Sequence, residues 1–261
     1  MVEFKGIKIG NKIGETSKFR IYTGEKDEET IIVKVAKTFE DGEVLQREAA
    51  KFTELNSQIT HINTLAGPEA GYELLLASID GSFLEPTQGD RRINIFSSSP
   101  NVSMDKLVPL PKLYNSTVID ARTSVWILGR LYKFYNLFEL VRSINSDDAV
   151  KYPLFSSGDY LISPEYHRVV YYNFSGEIED SLATNFVKAV TRFIRTWVDE
   201  DSDKEYLNLL DELTNDGRDT FEQAHQELYK LVEKLWGIGY YPFTYKDKGT
   251  NYYKTITIKE N

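Results

Sequence analysis

The first third of the chain alternates apolar and polar residues with a period of two, which is typical of half-buried strands. Residues 30–36 are almost continuously apolar, and this pattern predicts a strand that is buried on both faces. A polar stretch at 24–29 and a Gly-Asp pair at 89–90 predict turns. Together these signals predict strands at residues 4–13, 18–23, 30–36, 82–86 and 91–97.

Helical periodicity first occurs at residues 43–55, where Glu48 lies on the same face as the apolar residues. After a short polar link that ends at Pro100, helical patterns dominate, and Pro109 and Pro111 are expected to end the first of them. A strand–turn–strand pattern at 159–172 interrupts the helices, and the aromatic tail, 240–253, is expected to be irregular. Helices are predicted at residues 103–108, 120–144, 180–198, 204–214 and 220–236.

Composition and charge narrow the class of protein. The 261 residues are 41% apolar and 27% charged, the balance of an ordinary globular domain, and no apolar run approaches the roughly 18 residues of a membrane span. The first residues lack the features of a signal peptide, and the chain has no cysteine, so we expect a cytoplasmic protein. A net charge of −9 without a Lys/Arg cluster argues against nucleic acid or an anionic membrane as a partner. The histidines, His61, His167 and His225, do not have the spacing of metal ligands.

One charged residue stands out in the buried strand pattern. Lys34 lies in the run IIVKVA, where an ammonium group needs a partner to offset the loss of hydration. Glu48, on the inward face of the next helix, is the obvious candidate. The alternative is that both side chains are solvated at the surface.

The order of these elements resembles a protein kinase over about residues 8–240. The resemblance is strongest at KVAKTFEDGEVLQREA, DYLISPEYHRVVYYNF and FEQAHQELYKLVEKLWGIGYYPF. The last two segments resemble a degenerate kinase-like family of bacteria and their phages. The resemblance implies an α+β, two-lobed fold with a small β-rich N-lobe at residues 1–99 and a mainly helical C-lobe at 100–261.

The resemblance also implies a nucleotide site with ATP and Mg²⁺ as its ligands. Lys34 matches the lysine that holds the α- and β-phosphates, Glu48 matches its helix partner, and Gly14 matches the first glycine of the phosphate-binding loop. Asp159 and Asn173 match the two metal positions with the residue types exchanged, which preserves one carboxylate and one amide for Mg²⁺. The alternative for this pair is that both are turn residues.

Several kinase features are absent from the matching positions. Thr16 and Phe19 replace the second and third glycines, where side chains crowd the place of the phosphates. Leu154 stands at the position of the catalytic aspartate and cannot accept a proton. Only residues 175–179 are left for the segment that grips a peptide substrate, and Asp180 is a weak match to the aspartate that opens the next kinase helix.

Three hypotheses follow. The favoured one is a catalytically impaired pseudokinase that acts by binding an unidentified partner protein, with residual ATP binding left open. The second is an atypical ATP-dependent phosphotransferase that uses Lys34, Glu48, Asp159 and Asn173 on a small or unusual acceptor. The third is a scaffold in which side chains such as Phe19 fill the cleft.

Overall fold

The computed structural model describes residues 2–4, 6–66, 71–86, 89–97, 106–145, 151–174, 176 and 182–259. The chain divides into two compact units. The first contains Met1–Pro109 and Val170–Phe174, and the second contains Leu110–Val169 and Ser175–Glu260. The boundary predicted between residues 99 and 100 lies outside the described residues and stays a prediction.

The first unit contains a six-stranded antiparallel sheet. Its strands, in chain order, are β1 Val2–Phe4, β2 Ile7–Glu15, β3 Phe19–Lys26, β4 Glu29–Ala36, β5 Ser78–Glu85 and β6 Arg91–Ser97. The order across the sheet is β1-β2-β3-β4-β6-β5, so β4 has a neighbour on each side. Residues 31–36 of β4 are all buried, as the continuous apolar run predicts.

The turn between β3 and β4 is shorter than the predicted one at residues 24–29. Asp27 and Glu28, with φ angles of 51° and 67°, form the reversal, and both are in the left-handed region that suits a tight hairpin. Gly24 lies inside β3, where a Cβ atom would approach Val33 Cγ2 to 2.9 Å. The glycine therefore serves close packing between strands, and assigning it to the turn was wrong.

One long helix, α1 Gly42–Ala66, belongs to the first unit and contacts β5 and β6. Its buried apolar side chains recur every three or four residues: Leu45, Ala49, Phe52, Leu55, Ile59 and Ile62. The predicted helix ended at residue 55, whereas this stripe continues for another two turns. The long polar face between the last apolar positions concealed the continuation.

The second unit is mainly helical. Its helices are α2 Leu110–Ser116, α3 Ala121–Asn145, α4 Ala183–Arg195, α5 Lys204–Asn215 and α6 Phe221–Trp236. The predictions for α3, α5 and α6 are confirmed to within one residue at each end, and α4 is shorter than predicted. Asp203 accepts hydrogen bonds from two backbone amides at the start of α5, and Thr220 and Gln223 form a capping box on α6.

The helix predicted at residues 103–108 does not reach its predicted end, because only residue 106 of the described part is helical, in a 3-10 turn. Val108–Pro109 is a short strand, β7, and α2 begins at Leu110. Pro111 therefore lies in the first turn of a helix, where its missing N–H group costs no hydrogen bond. The proline begins the helix instead of ending one.

The aromatic tail is also more regular than predicted. Phe243–Asp247 forms β11, which pairs with β12, Lys254–Ile256, and with β8, Thr117–Ile119. The prediction of an irregular tail at 240–253 was therefore wrong at Phe243–Asp247, and the rest of this range has no helix or strand. Short strands that pair with a segment far away in sequence leave little local signal.

The predicted strand–turn–strand unit is confirmed. It consists of β9, Tyr160–Ser163, a four-residue turn, and β10, Arg168–Tyr171. His167 closes the turn with a φ of 49°. None of the helices in the described part of the chain is long and apolar enough to span a membrane.

Candidate functional site

Lys34 lies at the middle of β4, paired with Ile21 of β3 on one side and Asn94 of β6 on the other. Its side chain is completely buried, with 0% of its surface exposed. The sequence-based expectation that this lysine is buried is therefore met, and the reading in which it is solvated is wrong.

The ammonium group of Lys34 donates to three oxygens of the first unit. The distances from Nζ are 2.5 Å to Glu48 Oε1, 2.7 Å to the backbone oxygen of Tyr172 and 2.9 Å to Asn173 Oδ1. An ammonium has three N–H groups, so these three acceptors equal the number of its donors. The strand, the helix and the segment after β10 thus converge on one charge.

Three aromatic rings enclose the same ammonium. Nζ lies 4.7 Å from the ring centroid of Phe96, 5.2 Å from that of Tyr172 and 5.5 Å from that of Phe19. Each ring face carries partial negative charge that favours a nearby cation, and each ring also excludes water. Oxygens and aromatic rings of the protein thus surround the cation. We call Lys34, Glu48, Asn94, Asn173 and these three rings the lysine cluster.

Glu48 is 1% exposed and is bound from several directions. Besides Lys34, its carboxylate accepts from Asn94 Nδ2 at 3.1 Å and from the backbone N–H of Phe174 at 3.1 Å. Asn94 also donates to the backbone oxygen of Leu45, at 2.8 Å. The carboxylate is thus satisfied by one charged and two neutral donors, which is what a buried ion pair requires.

Asn94 and Phe96 were not among the site residues predicted from the sequence. Asn94 is the amide within the predicted strand RRINIFS, and a polar side chain in a buried strand needs a partner just as Lys34 does. That argument identifies Asn94 as a candidate member of the cluster. No comparable signal distinguishes Phe96 from an ordinary core residue.

The segment that matches the phosphate-binding loop is closed by its own hydrogen bonds. The backbone N–H groups of Lys18 and Phe19 both donate to Thr16 Oγ1, at 3.2 and 3.1 Å, and Thr16 N–H donates to the Phe19 oxygen at 2.9 Å. Gly14 precedes this turn in β2, opposite Ile21. Three amides that would point at a phosphate are therefore already paired within the turn.

Leu154 and Asp159 belong to the second unit. Leu154 is 42% exposed, and its backbone N–H donates to the Gly176 oxygen at 2.7 Å. Asp159 ends a short 3-10 helix, Ser157–Asp159, and is fully buried. Asn173 belongs to the first unit, and the pairing of Asp159 with Asn173 as metal ligands stays a prediction.

Residues 175 and 177–179 of the shortened activation segment, and Asp180, lie outside the described residues. Within the residues that are described, no group of three or more His, Asp or Glu side chains is arranged to hold a metal ion.

Comparisons with known proteins bear on the fold. No protein-family model and no curated protein sequence matches the chain. A solved structure, that of vaccinia related kinase 3, matches with a TM-score of 0.56 over 88% of this chain and 87% of that chain, at 11% identity. The chain has a protein-kinase-like fold. The predicted fold class, α+β with a β-rich N-terminal region and a mainly helical C-terminal region, is confirmed.

In a protein-kinase-like fold, Lys34 and the loop after Gly14 are the groups that would hold the phosphates of ATP. As arranged, they do not fit that role, because the ammonium donates to three protein oxygens and the loop amides bond within the turn. Asn173 Oδ1 accepts from the ammonium of Lys34 at 2.9 Å, and its role as a ligand of Mg²⁺ stays a prediction.

Proposed function

We propose that the chain is a pseudokinase, a kinase-like domain that lacks protein phosphotransferase activity and acts by binding a partner protein. The observation that carries the proposal is the ammonium of Lys34, whose three donors are taken by Glu48, Tyr172 and Asn173. A lysine in this state stabilises the first unit and has no donor left for a phosphate.

Three further observations support the proposal. The turn at Thr16 uses the amides of Lys18 and Phe19 internally, so the backbone offers a phosphate little to bind. Leu154, at the position of the catalytic base, has an apolar side chain that cannot accept a proton. The rings of Phe19 and Tyr172 beside Lys34 favour a cluster filled by side chains.

The finer features of the proposal come from the sequence. The hairpin segment and the last helix resemble a degenerate kinase-like family of bacteria and their phages, so we place the chain there. The net charge of −9 favours a protein partner over a nucleic acid or an anionic membrane, and the absence of cysteine favours the cytoplasm.

A second candidate is an atypical ATP-dependent phosphotransferase. The observation that favours it is that Lys34, Glu48 and Asn173, three of its four proposed residues, lie together in the first unit. For this function Lys34 must exchange at least one protein oxygen for a phosphate oxygen. Nucleotide binding is therefore where the two candidates differ most.

The test is a thermal-shift titration with ATP, with and without Mg²⁺. A ligand that binds only the folded state raises Tm in proportion to RT ln(1 + [L]/Kd), so a nucleotide that occupies the site gives a rising curve. We expect Tm to stay within about 1 °C of its starting value up to millimolar ATP. Mass spectrometry after incubation with ATP that carries an isotope-labelled γ-phosphate is expected to find no transferred label.

The control variant is the double substitution Lys34→Met with Glu48→Gln. It removes both charges of the pair, so no unpaired charge is left in the core. Its match is Lys8→Met with Glu25→Gln, an exposed pair on β2 and β3 whose atoms lie 2.7 Å apart. An ATP-dependent rise in Tm in the wild type and in the exposed-pair variant, but not in the Lys34 variant, contradicts the saturated state of Lys34 that carries the proposal. Label transfer then separates a pseudokinase that binds ATP from the phosphotransferase. Label transfer that disappears with Lys34→Met establishes the phosphotransferase.

A further inference from the structure

A cavity of about 480 Å³ lies within the second unit, between α3, α6 and the segment 237–241. Two glycines help to create it. At Gly129 in α3, a Cβ atom would approach Tyr229 Oη to 3.2 Å and His225 Nε2 to 3.4 Å. Gly237 ends α6 with a φ of 82°, and the chain after it lines the cavity. The volume is in the range of small-molecule sites in proteins.

Arg130, on the wall of this cavity, differs from other arginines of the same unit. Arg195 contacts Glu200 and Asp211, and Arg218 contacts Glu212 and Glu227, all at 2.6–2.9 Å. Arg130 is also partly buried, yet no carboxylate among the described residues lies within 4.0 Å of it and none of its N–H groups donates a hydrogen bond there. A guanidinium fork that is partly desolvated and unpaired is suited to a bound oxyanion.

The other charges around the cavity do not cancel that of Arg130. Lys133 also lines it, and Glu233 is an exposed carboxylate on the same wall. Burial lowers the pKa of both His167 and His225 to about 4, aided by Arg130 at His167 and by Lys133 and then Arg130 at His225, so both rings are neutral at pH 7. Arg130 is thus a cation of the lining with no carboxylate within 4.0 Å in the described part of the chain, and its charge favours an anion in the cavity.

The remaining wall is largely aromatic. The ring of Trp126 stacks on that of His167, with centroids 4.4 Å apart and planes 9° from parallel. Trp126 Nε1 and His167 Nε2 are both buried, and neither has a hydrogen-bond partner among the described residues. At the rim, Ile238 and Tyr240 are 88% and 82% exposed, a large apolar area to leave in water. The lining thus suits a flat apolar body with a polar end.

We propose that this cavity binds a small organic carboxylate with a flat apolar body. Arg130 binds the carboxylate through two N–H groups, and the apolar body lies against the rings and Ile238. A singly charged carboxylate is favoured over a phosphate because the aromatic walls make the removal of a second charge from water costly. The proposal is independent of whether the chain binds ATP.

The test uses 2-naphthoate as the probe and 2-naphthamide as its uncharged match, titrated into the full chain by calorimetry and by tryptophan fluorescence. We expect the naphthoate to bind at least 10-fold more tightly than the amide. Arg130→Gln is expected to remove this preference, weakening naphthoate about 10-fold and leaving the amide unchanged, as for the loss of one charged hydrogen-bonding pair. The matched control is Arg192→Gln, an exposed arginine on α4 outside the cavity.

Gly129→Ala provides a second variant that does not depend on charge. Alanine favours the helix, so the fold is retained, and its methyl group narrows the cavity against Tyr229 and His225. Both probes are expected to weaken at least 3-fold. The proposal is overturned if neither probe binds the wild type at millimolar concentration, if both bind equally, or if Arg130→Gln and Arg192→Gln have the same effect.

Discussion

The lysine cluster and the cavity beside Arg130 both place a cation among aromatic rings, but they differ in what the cation contacts. Lys34 is fully buried and donates to three oxygens, whereas Arg130 is partly buried and has no carboxylate partner in the described part of the chain. A saturated cation stabilises the unit that holds it. An unsaturated one is available to a ligand. The position that resembles a kinase site is thus the closed one, and the open one lies elsewhere.

The largest expected effect is on the lysine cluster itself. Glu48→Gln leaves the ammonium of Lys34 buried without its carboxylate, and we expect the free energy of unfolding to fall by about 3–5 kcal/mol. Urea unfolding measures this loss. Adding Lys34→Met to Glu48→Gln is expected to recover most of it, because no unpaired charge then remains in the core.

An exposed ion pair of the same sheet supplies the control. Lys8 and Glu25 are each 49% exposed, so Glu25→Gln is expected to cost less than about 1 kcal/mol. Equal costs for Glu48→Gln and Glu25→Gln contradict the distinction between a structural cluster and an ordinary surface pair.

The next largest expected effect is the pH dependence of stability that arises from His167 on the cavity wall. The pKa of His167 is lowered to about 4 in the folded chain, first by burial and then by Arg130, so the unfolded chain binds more protons between pH 4 and 6.5. The stability that neutral, buried His167 gives the folded chain is therefore fully present above pH 6.5. As the pH falls to 4, the free energy of unfolding decreases by on the order of 3 kcal/mol. His225 has the same direction of shift.

Urea unfolding at pH 7 and at pH 4 tests this expectation. His167→Phe keeps a ring against Trp126 and is expected to reduce the loss of stability between the two pH values, relative to the wild type. The exposed His61→Gln, in α1, is the control. A wild-type loss that His167→Phe leaves unchanged contradicts the assignment of this pH dependence to His167.

The smallest expected effect is a difference in stability cost between substitutions of two arginines in the second unit. Arg218→Gln breaks contacts with Glu212 and Glu227 and is expected to cost about 1 kcal/mol, less in high salt. Arg130→Gln is expected to stay within about 0.5 kcal/mol of the wild type, because it removes no paired group. The free energies of unfolding of the two variants, measured at low and at high salt, test whether Arg218 is paired and Arg130 is not. A larger cost at Arg130 points to a contact inside the protein.

The sequence predicts an element best where a local pattern of apolar side chains is enough to determine it. The apolar stripes of α3, α5 and α6 and the continuous run in β4 suffice for their assignment. The pairing of β8 with β11, the start of α2 at Leu110 and the last two turns of α1 depend on contacts with distant segments. A local pattern does not contain that information.

Some features of the candidate site are likewise predictable from the sequence, and others are not. Lys34 and Glu48 are predictable because a charge in a buried run needs a partner from a neighbouring element. The closure of the loop by Thr16 Oγ1 and the donation from Lys34 to the Tyr172 backbone depend on atomic positions that residue types do not specify. The cavity beside Arg130 leaves no signal in the sequence, because an unpaired arginine on a helix looks like a solvated one.

The sheet formed by β8 and β11 has a consequence for synthesis of the chain on the ribosome. β8 ends at Ile119 and β11 begins at Phe243, about 125 residues later. At about 5–20 residues per second, the edge of β8 waits roughly 6–25 s for its neighbour. During that interval the start of α3 also lacks the backbone oxygens of Pro242 and Thr244, to which Thr123 donates. The second unit therefore completes its structure late in translation, and in this interval the unpaired strand is open to chaperones or to another nascent chain.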